Sequence, residues 1–330
     1  MNSASPFSRR EFLQKAATLS AIGFAAPHWA SAGDPQPTRK PGPDSRIHLG
    51  LIGCGEMGRA NLAACEAGKD FYLQKPMMLH LGESLAVRNA VKKHNVISQI
   101  RTQVHAGENY RRVVEFIRAG NLGPVGTVRT FNVMNQGPNG VGHRTETKPP
   151  EGLDWDFWCG PAPKRPFNPL LAANAYNHCS WMDYSGGWTP GMAPHIIDLP
   201  VWALDLGFPI RTSSAGGRFV LKDDGDAYDH HEVLWQFPNL TMTWMSSLTN
   251  SYGFDFHGEP GPKRRLGIYF HGAHGTIYSD YGSFKVMPEG DGMKNLPPPP
   301  KSIPPSPGHE PNGSSASSRA SNPVAASSIT

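Results

Sequence analysis

The sequence predicts an α/β protein: a short parallel strand–helix unit followed by an α+β domain with a large, mainly antiparallel sheet. Two observations carry this. Strand and helix signals alternate over residues 47–124, the pattern of a parallel sheet. From about Gly126 onward strands come in runs, and turn signals such as Pro238-Asn239 and His271-Gly272 separate some of them, which implies antiparallel pairing. A third observation bounds the foldable body: residues 296–330 hold nine Pro and nine Ser and offer no apolar pattern to bury.

The elements follow in order. "RIHLGLI" reads as a buried strand, "EMGRANLAACEAG" as a helix closed by Gly68-Lys69-Asp70, and "FYLQ" as a second short strand. Residues 80–94 read as an amphipathic helix, "NVISQI" as a strand, and "ENYRRVVEFIRAG" as a helix ending at Gly120. In the second domain "TVRTFNVM", "HHEVLWQF", "LTMTWMSSL", "LGIYFHG", "TIYSD" and "FKVM" read as strands. Between the first two lies a Trp-rich, loop-rich region and the helix "APHIIDLPVWALDLG". The predicted organisation is an export signal at 1–32, a linker at 33–46, the parallel unit at 47–124, the larger domain at 125–290 and a disordered tail at 291–330.

The export signal rests on "SRREFLQKAATLSAIGFAAPHWASAG": paired arginines, a short apolar run and Ala30-Ser31-Ala32 as a cleavage site. The run is too short to span a bilayer, so a removable signal and a periplasmic or extracytoplasmic address are expected, with no membrane span in the mature chain. It resembles a bacterial twin-arginine signal. The net charge of +4, reduced to +2 without residues 1–32, forms no basic block, which argues against a nucleic-acid partner. Cys54, Cys65, Cys159 and Cys179 lack metal-motif spacing and read as small buried hydrophobes, with one disulfide left open. No metal is expected. His178, Asp183, His195, Asp229, His230 and His231 show no zinc-type spacing, and the adjacent pair on one strand points to opposite faces.

Gly53-Cys54-Gly55-Glu56-Met57-Gly58 fits G-x-G-x-x-G between a strand and a helix. Gly53 permits the tight turn, Gly55 lets the backbone approach a pyrophosphate, and Gly58 lets helix pack on strand. With Glu56 and Met57 between them, these are the expected cofactor-binding residues. The motif's second requirement, an acid ending the next strand to hold the ribose, falls near Gln74, and Asp70 sits at that strand's start instead.

Together with "AACEAGKDFYLQKP", "TQVHAGENYRRVVEFIRAGNLGPVGTVRTFNV", "LDWDFWCGPAPKRPFNP" and "YSGGWTPGMAPHIIDLPVWALDLG", the glycine loop makes the chain resemble the Gfo/Idh/MocA oxidoreductases. The resemblance covers most of residues 47–290. It implies a Rossmann-like unit, here truncated, followed by a sheet-based substrate and oligomerisation domain. It further implies NAD or NADP as cofactor, a sugar or cyclitol hydroxyl as substrate, and a homo-oligomer. Only 17 positions separate Gly58 from Lys75, as if a middle segment had dropped out near residues 61–63, and the family's C-terminal helices have no counterpart before the tail.

The same resemblance assigns roles. Lys75, in "QKP", matches the lysine of the E-K-P motif, with Gln74 replacing the acid, and His195 matches the histidine of D-x-x-x-H, with Gly191 replacing the acid. These two form the expected catalytic pair. Asp198, three residues on, shares a helix face with His195 and is expected to orient it. His105, Tyr110 and Trp181 join Asp198 as expected substrate residues, and Arg101 is a bulky cation where glycine is usual. Two rivals stand beside the enzyme reading: a catalytically silent carbohydrate-binding or scaffold protein using the tryptophans, and a defective gene product.

Overall fold

The computed structural model describes residues 70–252 and 264–309. The signal, the linker, the glycine loop with Gly53, Gly55, Glu56, Met57 and Gly58, the cysteines Cys54 and Cys65, and residues 310–330 lie outside the described residues.

The described part of the parallel unit is small. Strand β1 (Phe71–Leu73) pairs in parallel with β2 (Ser98–Ile100), and helix α1 (Leu81–His94) makes the crossover. Three apolar or aromatic residues in a row suit a short strand, and Leu73 is fully buried. Asp70 has a structural task here: its Oδ1 accepts the Ile97 amide at 2.9 Å and so joins the two strand starts. After a 3₁₀ turn at Gln103–Ala106, helix α2 (Glu108–Arg118) places Tyr110, Val113, Val114 and Ile117 on one buried stripe.

The larger sheet has eight strands. They are β3 (Val125–Asn135), β4 (Arg211–Gly217), β5 (His230–Gln236), β6 (Thr241–Ser247), β7 (Thr249–Asn250), β8 (Arg264–Gly272), β9 (Gly275–Ser279) and β10 (Phe284–Pro288). Their order is β10-β9-β8-β3-β6-β5-β4, with β7 on β3. All neighbours are antiparallel except β3 and β6, whose parallel register sets Thr127 opposite Thr241 and Val133 opposite Ser247. The expected mainly antiparallel sheet is present. β4, "RTSSAGG", was not expected. It is a polar, exposed edge strand with no apolar alternation, and its ladder to β5 alone defines it.

Three short helices, α3 (Trp155–Cys159), α4 (Ala175–His178) and α5 (Met182–Ser185), lead to α6 (Trp188–Leu204). Helix α6 starts earlier than its apolar pattern indicated and contains Pro194 and Pro200. Proline interrupts a helical ladder, yet Ile196 and Leu199 are fully buried, and tertiary packing holds the helix. One core unites α2, α6 and one sheet face through Val113, Ile196, Leu199, Trp244, Ile268 and Phe270. Alternate residues of each strand supply it.

The expectation of a disordered tail from 291 is corrected as far as His309. The Ile303 amide donates to Glu115 Oε1 at 2.7 Å, Arg111 and Arg112 of α2 donate to the carbonyls of Pro304 and Ile303, and Gln99 of β2 donates to the His309 carbonyl at 2.9 Å. A proline-rich chain makes no internal hydrogen bonds, so its carbonyls are free to serve these side chains. Among the described residues, no helix is long and apolar enough to cross a membrane.

Candidate active site

Lys75 follows the carboxyl end of β1, the end at which open parallel sheets place their ligands. Its Nζ donates to the main-chain carbonyl of Gly191 in the first turns of α6. Pro194, three residues later, lacks the N–H that would bond the Pro190 carbonyl, so the helical ladder is interrupted one residue before the carbonyl that Lys75 reaches. The contact joins the parallel unit to the larger domain through residues 116 positions apart.

Gly191 has no room for a side chain. A Cβ built on it would lie 2.7 Å from Cys179 Sγ, inside any normal contact. Cys159 and Cys179 are both buried thiols outside any disulfide, in keeping with their reading as small buried hydrophobes. Burial pushes the Cys179 thiol up, and the positive Lys75 opposes that shift. Burial likewise lowers the His178 imidazole, which its main-chain bond to Tyr184 opposes and Lys75 reinforces, so His178 is a neutral ring at pH 7.

His195 lies one turn beyond Gly191 on the same helix face and is buried. Tyr110 Oη donates to the His195 carbonyl at 3.2 Å, and the Tyr281 ring meets the imidazole edge-on, with centroids 6.2 Å apart. Burial, then the nearby charges of Tyr281, Asp198 and Asp280, hold the Tyr110 phenol well above its ordinary value. It is therefore a permanent neutral donor that fixes this turn of α6.

The structure places Asp198 differently from the orienting role expected for it. Asp198 Oδ2 lies 2.8 Å from His105 Nδ1, and the His105 ring stacks on Trp202 with centroids 3.8 Å apart. Residues 198 and 202 occupy successive turns of α6, so His105, Asp198 and Trp202 clamp the 3₁₀ turn onto that helix. Asp198 is committed to this clamp. Trp181 is buried with Trp155, Phe167 and Leu171 in a second core cluster, where the Trp155 and Trp158 rings stack at 4.6 Å and Trp155 Nε1 donates to the Arg165 carbonyl at 2.7 Å. Arg101 is exposed, and its amide closes the turn onto the Leu73 carbonyl.

Lys75, Gly191 and His195 thus line one stretch of α6, with Tyr110 and Tyr281 behind it. Sequence reasoning missed Gly191 as a carbonyl ligand, and Cys179 and His178 as its surroundings. No motif spacing links residues 75, 179 and 191, and only the folded chain joins them. An open groove of about 660 Å³ over the second cluster is lined by Leu153, Trp155, Lys164 and Phe167, and none of the catalytic candidates reaches it. The acids that line it are already engaged: Asp154 accepts the Phe157 amide at 2.9 Å, and Asp156 pairs with Lys164 at 3.1 Å. Among the described residues no group of three His, Cys, Asp or Glu could hold a metal.

Residues 125–210 match the family model described as "Oxidoreductase family, C-terminal alpha/beta domain" of the Gfo/Idh/MocA proteins. No curated protein matches the chain. Among solved structures, it is similar to an NAD binding oxidoreductase from Klebsiella pneumoniae: 12% identity, 74% of this chain and 56% of that one, TM-score 0.52. It is also similar to levoglucosan dehydrogenase in complex with NADH and levoglucosan, with 17% identity, 74% and 62% coverage and TM-score 0.48. A third is GenD2 from gentamicin A biosynthesis in complex with NAD, with 16% identity, 70% and 53% coverage and TM-score 0.48. At 12% identity the likeness to the Klebsiella pneumoniae structure is one of fold, and the chain spans 53–62% of the length of these three structures. Residues 125–210 are therefore similar to the C-terminal alpha/beta domain of the Gfo/Idh/MocA oxidoreductases.

Proposed function

We propose that the protein is an NAD(P)-dependent oxidoreductase acting on a hydroxyl of a sugar or cyclitol, with Lys75 and His195 as its acid–base pair. The observation that carries this reading is the Lys75 contact to Gly191, which sets an amine beside the helix face of His195 at the carboxyl end of a parallel strand. That placement fits the reacting end of a nicotinamide site, and the similarity of residues 125–210 to an oxidoreductase-family domain supports the chemistry. Gly53, Gly55 and Gly58, with Glu56 and Met57, would hold the pyrophosphate.

Bound NAD(P) supplies the hydride acceptor. The Lys75 ammonium, held at the Gly191 carbonyl, would hold the substrate oxygen and favour its deprotonation. A ring nitrogen of His195 takes the hydroxyl proton, and returns it in the reverse direction. Tyr110 keeps the turn carrying His195 in place. Lys75→Ala and His195→Ala should each lower kcat by roughly 10²–10⁴-fold in NAD(P) reduction assays on a polyol and aldose panel. Turnover unchanged by both substitutions would remove the pair from the chemistry.

Export by the twin-arginine route is part of the proposal, on the strength of Arg9-Arg10 and Ala30-Ser31-Ala32. Replacing Arg9 and Arg10 by lysine should leave the chain uncleaved in the cytoplasm, and processing at an unchanged rate would contradict it.

A further inference from the structure

We propose that His231, Ser246 and Asn132 are specificity-determining residues: they form an uncharged row of hydrogen-bonding groups that holds the non-reacting hydroxyls of a neutral sugar or cyclitol. The inference rests on the function proposed above for the class of ligand, and adds the residues that select it. Register sets the three side by side: His231 of β5 pairs with Ser246 of β6, and Ser246 with Asn132 of β3. Two residues along the same strands, Val233, Trp244 and Thr130 form the neighbouring row on the same sheet face. Val233 and Trp244 belong to the core that α6 covers, so the polar row lies on the inner face, at the margin of that core.

The protein leaves this row unmatched. Asn132 is fully buried, yet neither its amide oxygen nor its amide nitrogen has a hydrogen-bond partner. A buried amide in that state is unfavourable, and a hydroxyl, which both donates and accepts, would satisfy it. His231 is half-buried and held in one form. Trp244 Nε1 donates to Thr189 Oγ1 at 3.1 Å, and that oxygen lies 2.7 Å from His231 Nδ1. Among the described residues the Thr189 hydroxyl has no other acceptor, so its hydrogen goes to Nδ1 and the ring proton sits on Nε2. Burial, then the charge of His230, lowers the imidazole, which is neutral at pH 7. Thr189 opens α6 two residues before Gly191, so this fixed donor stands at the start of the helix whose carbonyl takes Lys75. The charges nearest along the strands, Arg129 and Glu232, alternate onto the opposite face. The row therefore offers hydrogen bonds to hydroxyls and no counter-charge to a carboxylate or phosphate.

The test is ligand binding to the full chain, followed by saturation-transfer NMR titration with and without NADH. The neutral probes are myo-inositol and D-glucose, and the charged probe is D-glucuronate. No turnover is needed: binding without NAD(P) reduction would count against the reading of Lys75 and His195 and leave the row standing. At least one neutral probe should bind, and D-glucuronate should bind about tenfold more weakly than the better of them. His231→Asn keeps an acceptor for Thr189 and removes the Nε2 donor, and Asn132→Leu keeps the branched shape and removes the amide. Each should weaken the neutral probe about tenfold, the effect of one lost hydrogen bond. Thermal unfolding separates selection from a structural role, because Asn132→Leu removes an unmatched buried group and should unfold no lower than wild type. If Asn132→Leu does not fold, the affinity of His231→Asn decides alone. No binding of either neutral probe, equal or tighter binding of D-glucuronate, or wild-type affinity in either folded variant would overturn the proposal.

Discussion

Asp229 shows how a buried charge is tolerated in this chain. It is almost wholly buried, which alone would raise its carboxyl, but the amides of Leu221, Val220 and Phe219 converge on it and the Arg218 charge assists, so the net shift is downward. A depressed carboxylate adds stability above its unfolded value, about pH 4, and loses it as pH falls through the lower folded value. Asp229→Asn should therefore cost about 2–3 kcal/mol at pH 7 and flatten the decline of stability below pH 4. Urea unfolding at pH 7 and pH 3 checks both parts, and an acid limb as steep as that of the wild type would contradict the assignment. The clamp of His105, Asp198 and Trp202 makes a second claim at this scale. Asp198→Ala should lower stability by about 2 kcal/mol through loss of a largely buried hydrogen-bonded partner. A loss of turnover with unchanged stability would return Asp198 to the substrate.

At the scale of elements, the strap at Ile303–His309 has the most to explain. Its main chain meets α2 through Glu115, Arg111 and Arg112, and Arg111 is almost wholly buried beneath it. Removing residues from Ile303 onward would leave Glu115 and Arg111 without these partners and should cost at least about 2 kcal/mol. Proteolytic nicking before Ile303 with unchanged thermal unfolding would contradict that. Composition concealed the strap, because Pro and Ser are uninformative about docking when the partners are side chains on an element far away in sequence. The same limit hid β4, whose polar residues are ordered by the ladder to β5 alone. By contrast α2 and β6 were legible, since apolar residues at helical and alternating spacing are what one-sided burial requires. Lys75 and His195 were singled out in the sequence by motif. Gly191 and Cys179 were not, because their meaning arises only where α4 packs on α6.

At the scale of the whole fold, the described residues join a two-stranded parallel unit to a broad sheet through α2 and α6, and the Lys75 contact lies across that junction. The strand end that bears Lys75 and the helix that bears His195 are each fixed by burial, by Leu73 on one side and by Ile196 and Leu199 on the other. In the function proposed above, this arrangement serves a nucleotide held by the glycine loop. The most direct measurement is a fluorescence titration of NADH into the chain beginning at Gly33, with circular dichroism on the same sample and Gly55→Val as control. Saturable binding by a folded wild-type chain is expected, lost in Gly55→Val without loss of fold, because a side chain there blocks the approach to pyrophosphate. A folded wild-type chain that shows no saturable binding would contradict it.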